Sequence, residues 1–104
     1  MNQIIKDKLE AIRQILSTHK VQRAYLFGSS VTDTFDSDSD IDLLVRFDDS
    51  IPALEKGELW WSLYDTLRDL LKREVDLMTE NSLKNPYFIE ELERTKQLIY
   101  GHQS

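Results

Sequence analysis

The chain has 104 residues, of which 40% are hydrophobic, with 3 glycines, 2 prolines and no cysteine. This composition predicts one globular domain spanning residues 1–104, and it excludes disulfides and cysteine-based zinc sites. The formal net charge of -6 disfavours a long nucleic acid as substrate, because proteins bind phosphate backbones through lysine and arginine. No apolar run reaches the roughly 18 residues that a membrane span requires. We therefore expect a cytoplasmic protein without a membrane anchor.

Two patterns in the first quarter of the chain predict a helix and a strand. From Ile5 to Leu16, apolar residues recur three or four positions apart, which is the spacing of one helix face. Residues 21–27 are rich in β-branched and aromatic side chains and are followed by Gly28, as expected for a strand that runs into a turn. Small and polar residues dominate the segment 29–39 that comes next.

Strict alternation predicts a second strand at residues 40–47. The odd-numbered positions are apolar, and the first two even-numbered positions are Asp40 and Asp42. Side chains two positions apart in a strand point to the same face, so the two aspartates share one face and the apolar residues share the other.

The second half of the chain predicts a long helix, a short strand and a final helix. Apolar residues at helical spacing mark the long helix over residues 59–71, and residues 74–78 form the short strand. Asn85 and Pro86 are a favoured N-cap and first residue for the final helix, which we expect to end near Gly101. Its predicted inward residues are Phe88, Ile89, Leu92 and Ile99.

The order helix, strand, strand, helix, strand, helix predicts an α/β (α+β) fold in which helices flank a small mixed sheet. Trp60 and Trp61 are neighbours on the long helix and cannot both point into the core. We expect one of them to be exposed, either as a partly covered core aromatic or as part of a partner surface.

The most informative pattern is Gly28-Ser29, ten intervening residues and Asp40-Ile41-Asp42. The two carboxylates can converge on divalent metal, and Mg²⁺ prefers such oxygen ligands. Gly28 lets the backbone approach a phosphate closely, and the hydroxyl of Ser29 can donate a hydrogen bond to a phosphate oxygen. Taken alone, Asp-x-Asp is also compatible with an edge strand whose carboxylates are simply solvated.

This pattern resembles the signature of the nucleotidyltransferase superfamily that includes DNA polymerase β: Gly-Ser, a spacer, then Asp-x-Asp. Members carry a third carboxylate on a later strand, and Asp76 stands at that place in the order of elements. The segments Asn85-Pro86-Tyr87 and Ile99-Tyr100-Gly101 resemble the ends of minimal nucleotidyltransferases, the MNT antitoxins that are paired with HEPN toxins. The resemblance covers most of the chain and implies a single-domain nucleotidyltransferase fold.

The resemblance also implies two-metal phosphoryl transfer from ATP. The implied catalytic residues and Mg²⁺ ligands are Asp40, Asp42 and Asp76. The implied contacts to the triphosphate are Gly28, Ser29 and Ser30. The acceptor would be a hydroxyl, by resemblance a tyrosine, of a HEPN-type toxin. The chain would then be an adenylyltransferase that acts as an antitoxin, in a homo- or hetero-oligomer.

One departure from the family pattern leaves alternatives open. Many members have an arginine soon after Gly-Ser, whereas this sequence continues Ser30-Val31-Thr32-Asp33. One alternative is a catalytically weak or inactive module that neutralises its partner by binding. Another is nucleotide transfer to a small molecule such as an aminoglycoside. The cations that could replace the missing arginine are Arg23, Arg46, Arg68, Lys72 and Arg73.

Overall fold

A computed structural model describes residues 3–27 and 41–101 of the chain. The predicted architecture of helices flanking a small mixed sheet is confirmed. In chain order the elements are α1 (Gln3–Thr18), β1 (Val21–Phe27), β2 (Ile41–Phe47), α2 (Ala53–Leu71), β3 (Val75–Thr79), a 3₁₀ turn (Glu80–Ser82), α3 (Pro86–Thr95) and β4 (Gln97–Tyr100). None of the helices in the described ranges is long and apolar enough to cross a membrane.

The strands form one mixed sheet in the order β3-β2-β1-β4. β1 pairs antiparallel with β2 on one side and with β4 on the other, and β2 pairs parallel with β3. Parallel neighbours require a crossover connection of a dozen or more residues, and α2 forms this crossover between β2 and β3. Within the described residues, β3 and β4 are therefore the two edges of the sheet.

The main core lies between one face of the sheet and the helices α1 and α2. Leu63, Leu67 and Leu71 are buried one turn apart along α2, and α1 contributes Ile12 and Leu16. The odd-numbered residues of β2 point into this core, as the alternation predicted. Each such aliphatic side chain stabilises the fold by about 1.5–3 kcal/mol on full burial, so this layer fixes which face of the sheet is covered.

The opposite face of the sheet carries a smaller cluster made of Tyr25, Phe27, Leu44 and Leu92. Leu92 is the buried residue of α3, which has 10 residues and supplies the helical cover on this side. A helix of that length spans only about 15 Å. Part of this face therefore stays accessible, and the beginnings of β2 and β3 lie there.

The C-terminal segment differs from its prediction. The final helix ends at Thr95 instead of continuing to Gly101, and Gln97–Tyr100 forms β4. Ile99 is buried as expected, although it reaches the core from a strand. A run of a few apolar residues fits either a helix or a strand. Gln97–Tyr100 is a strand because it pairs with β1.

Gly101 ends β4 where the chain passes very close to β1. Its φ is +84°, and a Cβ at this position would lie 2.3 Å from the carbonyl oxygen of Gln22 and 2.9 Å from Cα of Arg23. The sequence interpretation of this glycine as a helix end is therefore wrong. Its physical role is to allow backbone contact between the end of β4 and β1.

The two tryptophans of α2 differ in exposure, as expected for neighbours on a helix. Trp60 is half-buried against the main core, whereas Trp61 is 63% exposed. The ring of Trp60 stacks on that of Tyr64, with centroids 5.4 Å apart and an angle of 5° between the planes. Both tryptophans belong to the helix that covers the main-core face of the sheet.

Candidate active site

Asp42 and Asp76 are direct neighbours on the two parallel strands. The register of β2 and β3 pairs the Cα of Asp42 with that of Asp76. One step earlier, the N–H of Ile41 donates to the carbonyl oxygen of Glu74 at 3.1 Å, which anchors the start of this register. Two carboxylates that are far apart in the sequence therefore meet at the same end of the sheet.

Both carboxylates belong to the face opposite the main core. Val75 and Leu77, which flank Asp76, are buried in the main core, so alternation directs Asp76 to the other side. On β2, Leu44 packs in the smaller cluster on that other side and shares its face with Asp42. Asp76 is exposed and Asp42 is half-buried, so solvent and ligands can reach the pair.

This donor set suits a hard divalent cation, because Mg²⁺ is commonly held by one or two carboxylates together with water and phosphate oxygens. Among the described residues, no group of three or more histidine, cysteine, aspartate or glutamate side chains is arranged to hold a metal ion. Asp40, the third predicted ligand, lies outside the described residues.

The predicted phosphate-binding residues Gly28, Ser29 and Ser30 also lie outside the described residues. The position of their neighbour is known, because Phe27 ends β1 directly opposite Asp42 in the antiparallel register. The chain therefore enters this segment beside Asp42. It returns at Ile41, the first residue of β2, at the same end of the sheet.

Two of the candidate cations are engaged away from the carboxylates. Arg23 donates two hydrogen bonds to the carboxylate of Glu80, at 2.8 and 3.0 Å, and this pairing raises the pKa of Arg23. Arg46 contacts Asp49 at 2.8 Å. Arg46 is four residues from Asp42 along β2, or about 13 Å, so it belongs to the far end of the strand.

The remaining candidates come from the end of α2 and the approach to β3. Arg68 pairs with Glu74 at 3.5 Å, and Lys72 pairs with Asp69 at 3.7 Å. Arg73 is half-buried and comes directly before Glu74, whose carbonyl oxygen pairs with the start of β2. Of the five cations, Arg73 is the one nearest to a carboxylate of the pair in the sequence, three positions before Asp76.

Phe88 was predicted from the sequence to point into the core, and it contacts Phe27 beside the candidate site. It is 37% exposed, and its ring meets that of Phe27 edge to face, with centroids 6.2 Å apart. Ile89, the other predicted inward residue of this turn, is half-buried. Phe27 thus connects Phe88 and Asp42, because it contacts the ring of Phe88 and is paired with Asp42 in the register of β1 and β2. The sequence shows the helical spacing of Phe88 and Leu92, but it does not show where the part of α3 that is covered by the sheet ends.

A cleft of about 440 Å³ lies elsewhere, between the first turns of α2 and the carboxyl ends of β2 and β3. Its walls include Gly57 and Trp60 from α2 and Thr79 from β3. The carboxylates lie at the beginnings of these strands. The cleft is therefore not part of the carboxylate site.

Comparison with known proteins identifies the family. The model of the polymerase beta nucleotidyltransferase family matches residues 10–104, which include both strands with the paired carboxylates. The chain belongs to this family. The resemblance inferred from Gly-Ser, Asp-x-Asp and the later aspartate is thereby confirmed, and the nucleotidyltransferase fold agrees with the mixed sheet and its helices.

Relatives within the nucleotidyltransferase family include the protein adenylyltransferase MntA of Thermococcus cleftensis, which is 39% identical over 85 residues, or 74% of this chain and 82% of the relative. A chain in a crystal structure of a toxin-antitoxin with AMP-PNP superposes with a TM-score of 0.72 at 27% identity, covering 91% of this chain and 74% of that chain. A chain in the structure of a tri-AMPylated Shewanella oneidensis HEPN toxin in complex with an MNT antitoxin superposes with a TM-score of 0.65 at 25% identity. The superposition covers 94% of this chain and 73% of that chain.

Proposed function

We propose that this nucleotidyltransferase moves AMP from ATP to a hydroxyl of a partner protein of the HEPN toxin class and thereby acts as an antitoxin. The observation that carries the proposal is the register that pairs Asp42 with Asp76 on an accessible face of the sheet. Similarity to MntA, and to chains in structures that contain AMP-PNP and an AMPylated toxin, supports the choice of nucleotide and acceptor.

In this proposal, Asp40, Asp42 and Asp76 hold Mg²⁺. Asp42 and Asp76 offer carboxylate oxygens from adjacent strands on one face, which fits the preference of this ion for oxygen ligands. When bound, Mg²⁺ would neutralise charge on the triphosphate and favour ionisation of the attacking hydroxyl. The contacts of the β- and γ-phosphates are assigned to Gly28, Ser29 and Ser30.

The transfer forms no covalent intermediate on the chain. The oxygen of the acceptor hydroxyl forms a bond to the α-phosphorus of ATP, the bond from that phosphorus to the bridging oxygen breaks, and pyrophosphate leaves. The hydroxyl proton passes to the carboxylate of Asp76, which acts as the general base. Asp76 is exposed and lies on an edge strand, so a hydroxyl presented by another molecule can reach it.

We also infer that residues 1–104 work as a single catalytic domain in which Asp76 faces solvent from an edge strand of the described sheet. An acceptor hydroxyl must then be positioned by the molecule that carries it. This favours a protein acceptor over a small molecule such as an aminoglycoside, which would need a pocket of its own.

The test uses ATP labelled at the α-phosphate, Mg²⁺ and a HEPN-type toxin that forms a stable complex with this chain. We expect label on the toxin, and we expect Asp42→Ala and Asp76→Ala each to lower the rate more than about a hundredfold. Asp65→Ala is the matched control, because Asp65 is an exposed carboxylate on α2 and should keep the full rate.

The alternative of a non-catalytic binder predicts a different result. A stable complex in which the toxin stays unlabelled, with no heat on titration of ATP and Mg²⁺ into the chain, would contradict the transfer reaction. Loss of labelling in Asp65→Ala as well would show that the assay reports folding instead of the site.

A further inference from the structure

We infer that the base of the bound nucleotide packs on the ring of Phe88, in an aromatic corner that consists of Phe88 and Phe27. This inference rests on the proposed function, because it assigns a subsite to the nucleotide whose phosphates would lie beside Asp42. It goes further by naming the residue that holds the part of the substrate remote from the reacting phosphate.

The order of the strands separates the two substrates. Asp76, the proposed base for the acceptor hydroxyl, lies on the edge strand β3, and Asp42 lies on β2 in the interior of the sheet. Phe27 lies on β1, on the other side of Asp42, and Gly28 follows it directly in the sequence. The triphosphate is therefore expected toward β1 and the acceptor toward β3.

The aromatic corner lies on the nucleotide side of Asp42 and on the same face. Residues directly opposite each other in an antiparallel pair have Cα atoms about 4.5–5.5 Å apart and side chains on one face, which describes Phe27 and Asp42. The centroid of the Phe88 ring lies 6.2 Å from that of Phe27. The ring of Phe88 is thus one strand spacing and one ring contact away from Asp42, a separation that we expect a nucleoside to span.

The first turn of α3 presents the aromatic ring of Phe88 to a ligand, and the N–H groups of Tyr87 and Phe88 are not available to bind an anion. The side-chain oxygen of Asn85 accepts hydrogen bonds from the N–H groups of Tyr87 and Phe88, at 2.9 and 3.4 Å, so these donors are already used. Phe27 is buried, whereas the ring of Phe88 stays partly open to solvent. A base is the part of ATP that suits such a surface, because every base has a π face that stacks on aromatic side chains.

The decisive experiment compares two probes, AMP-PNP and inorganic tripolyphosphate, each titrated calorimetrically in the presence of Mg²⁺. Phe88→Ala should weaken the binding of AMP-PNP about tenfold, the effect of losing one stacked base, and should leave tripolyphosphate binding unchanged. Phe88→Trp should restore AMP-PNP binding. Trp61→Ala should change neither affinity, because Trp61 is an exposed aromatic on α2, across the sheet from the corner.

Unchanged AMP-PNP binding by Phe88→Ala would overturn the inference, and so would an equal loss of both probes, which would give Phe88 a purely structural role. Normal AMP-PNP binding with lost transfer to the toxin would also overturn it and would assign Phe88 to the acceptor. If Phe88→Ala does not fold, Phe88→Leu keeps apolar volume beside Phe27 and should show the same selective loss. A wild-type chain that binds neither probe would instead refute the proposed function.

Discussion

Asp42 and Asp76 are paired in register, and their carboxylates carry charges of the same sign. Like charges directly opposite on neighbouring strands destabilise a sheet. Repulsion between the two carboxylates therefore lowers the free energy of unfolding unless a cation offsets it. The same pairing that suits a metal ion therefore leads to a stability experiment that needs neither ATP nor a partner.

We predict that Mg²⁺ at ten times its dissociation constant stabilises the wild-type chain by about 1.4 kcal/mol. Asp76→Asn should remove most of this stabilisation and should raise the metal-free stability by about 0.5 kcal/mol, because one of the two like charges is gone. Thermal unfolding with and without MgCl₂ measures both effects. Asp65→Asn should respond to Mg²⁺ as the wild type does, and an equal response from Asp76→Asn would argue against metal at this pair.

Among the helices and strands, local sequence patterns were sufficient to predict those whose periodicity is clear. The three-four spacing predicted α1 and α2, and strict alternation predicted β2 with the correct face inward. β4 was missed because its pairing with β1 joins residues far apart in the sequence. In the site, the family resemblance implied that Asp76 is the third carboxylate beside Asp40 and Asp42, but the register that pairs Asp76 with Asp42 depends on packing along both strands. The exposed position of Phe88 likewise depends on how far the sheet extends beneath α3.

Two glycines provide a matched test of the connection between β4 and β1. We predict that Gly101→Ala costs more than about 2 kcal/mol, because it combines positive φ with a clash against the backbone of β1. Gly57→Ala should stabilise the chain by about 0.5–1 kcal/mol, since an added Cβ in α2 meets nothing within 4 Å. Denaturant unfolding measures both variants. Equal effects of the two substitutions would contradict a special role for Gly101.

The turn between β2 and α2 should make stability depend on pH. The carboxylate of Asp48 accepts hydrogen bonds from the N–H and the hydroxyl of Ser50, at 2.9 and 2.8 Å, and these bonds lower the pKa of Asp48. A lowered pKa means that the stabilisation is present above the ordinary pKa of aspartate and is lost as the pH falls through the lowered value.

Asp48→Asn should therefore be less stable than the wild type near neutral pH, and the difference should shrink as the solution is acidified below the ordinary pKa of aspartate. Urea unfolding at a series of pH values measures this difference. Asp65→Asn controls for the general effect of removing one carboxylate. A difference that stays constant with pH would mean that the charge of Asp48 does not act through the turn.

The two faces of the sheet have different roles in the protein. One face is covered by α1 and α2 and supplies most of the buried apolar residues, and the other is only partly covered and presents the carboxylates. Both tryptophans of the chain, Trp60 and Trp61, lie in α2 on the first side. Their fluorescence should thus report the detachment of α2 during unfolding. A change in emission on adding ATP would indicate a movement transmitted across the sheet, because the light-absorbing rings and the nucleotide would be on opposite sides of it.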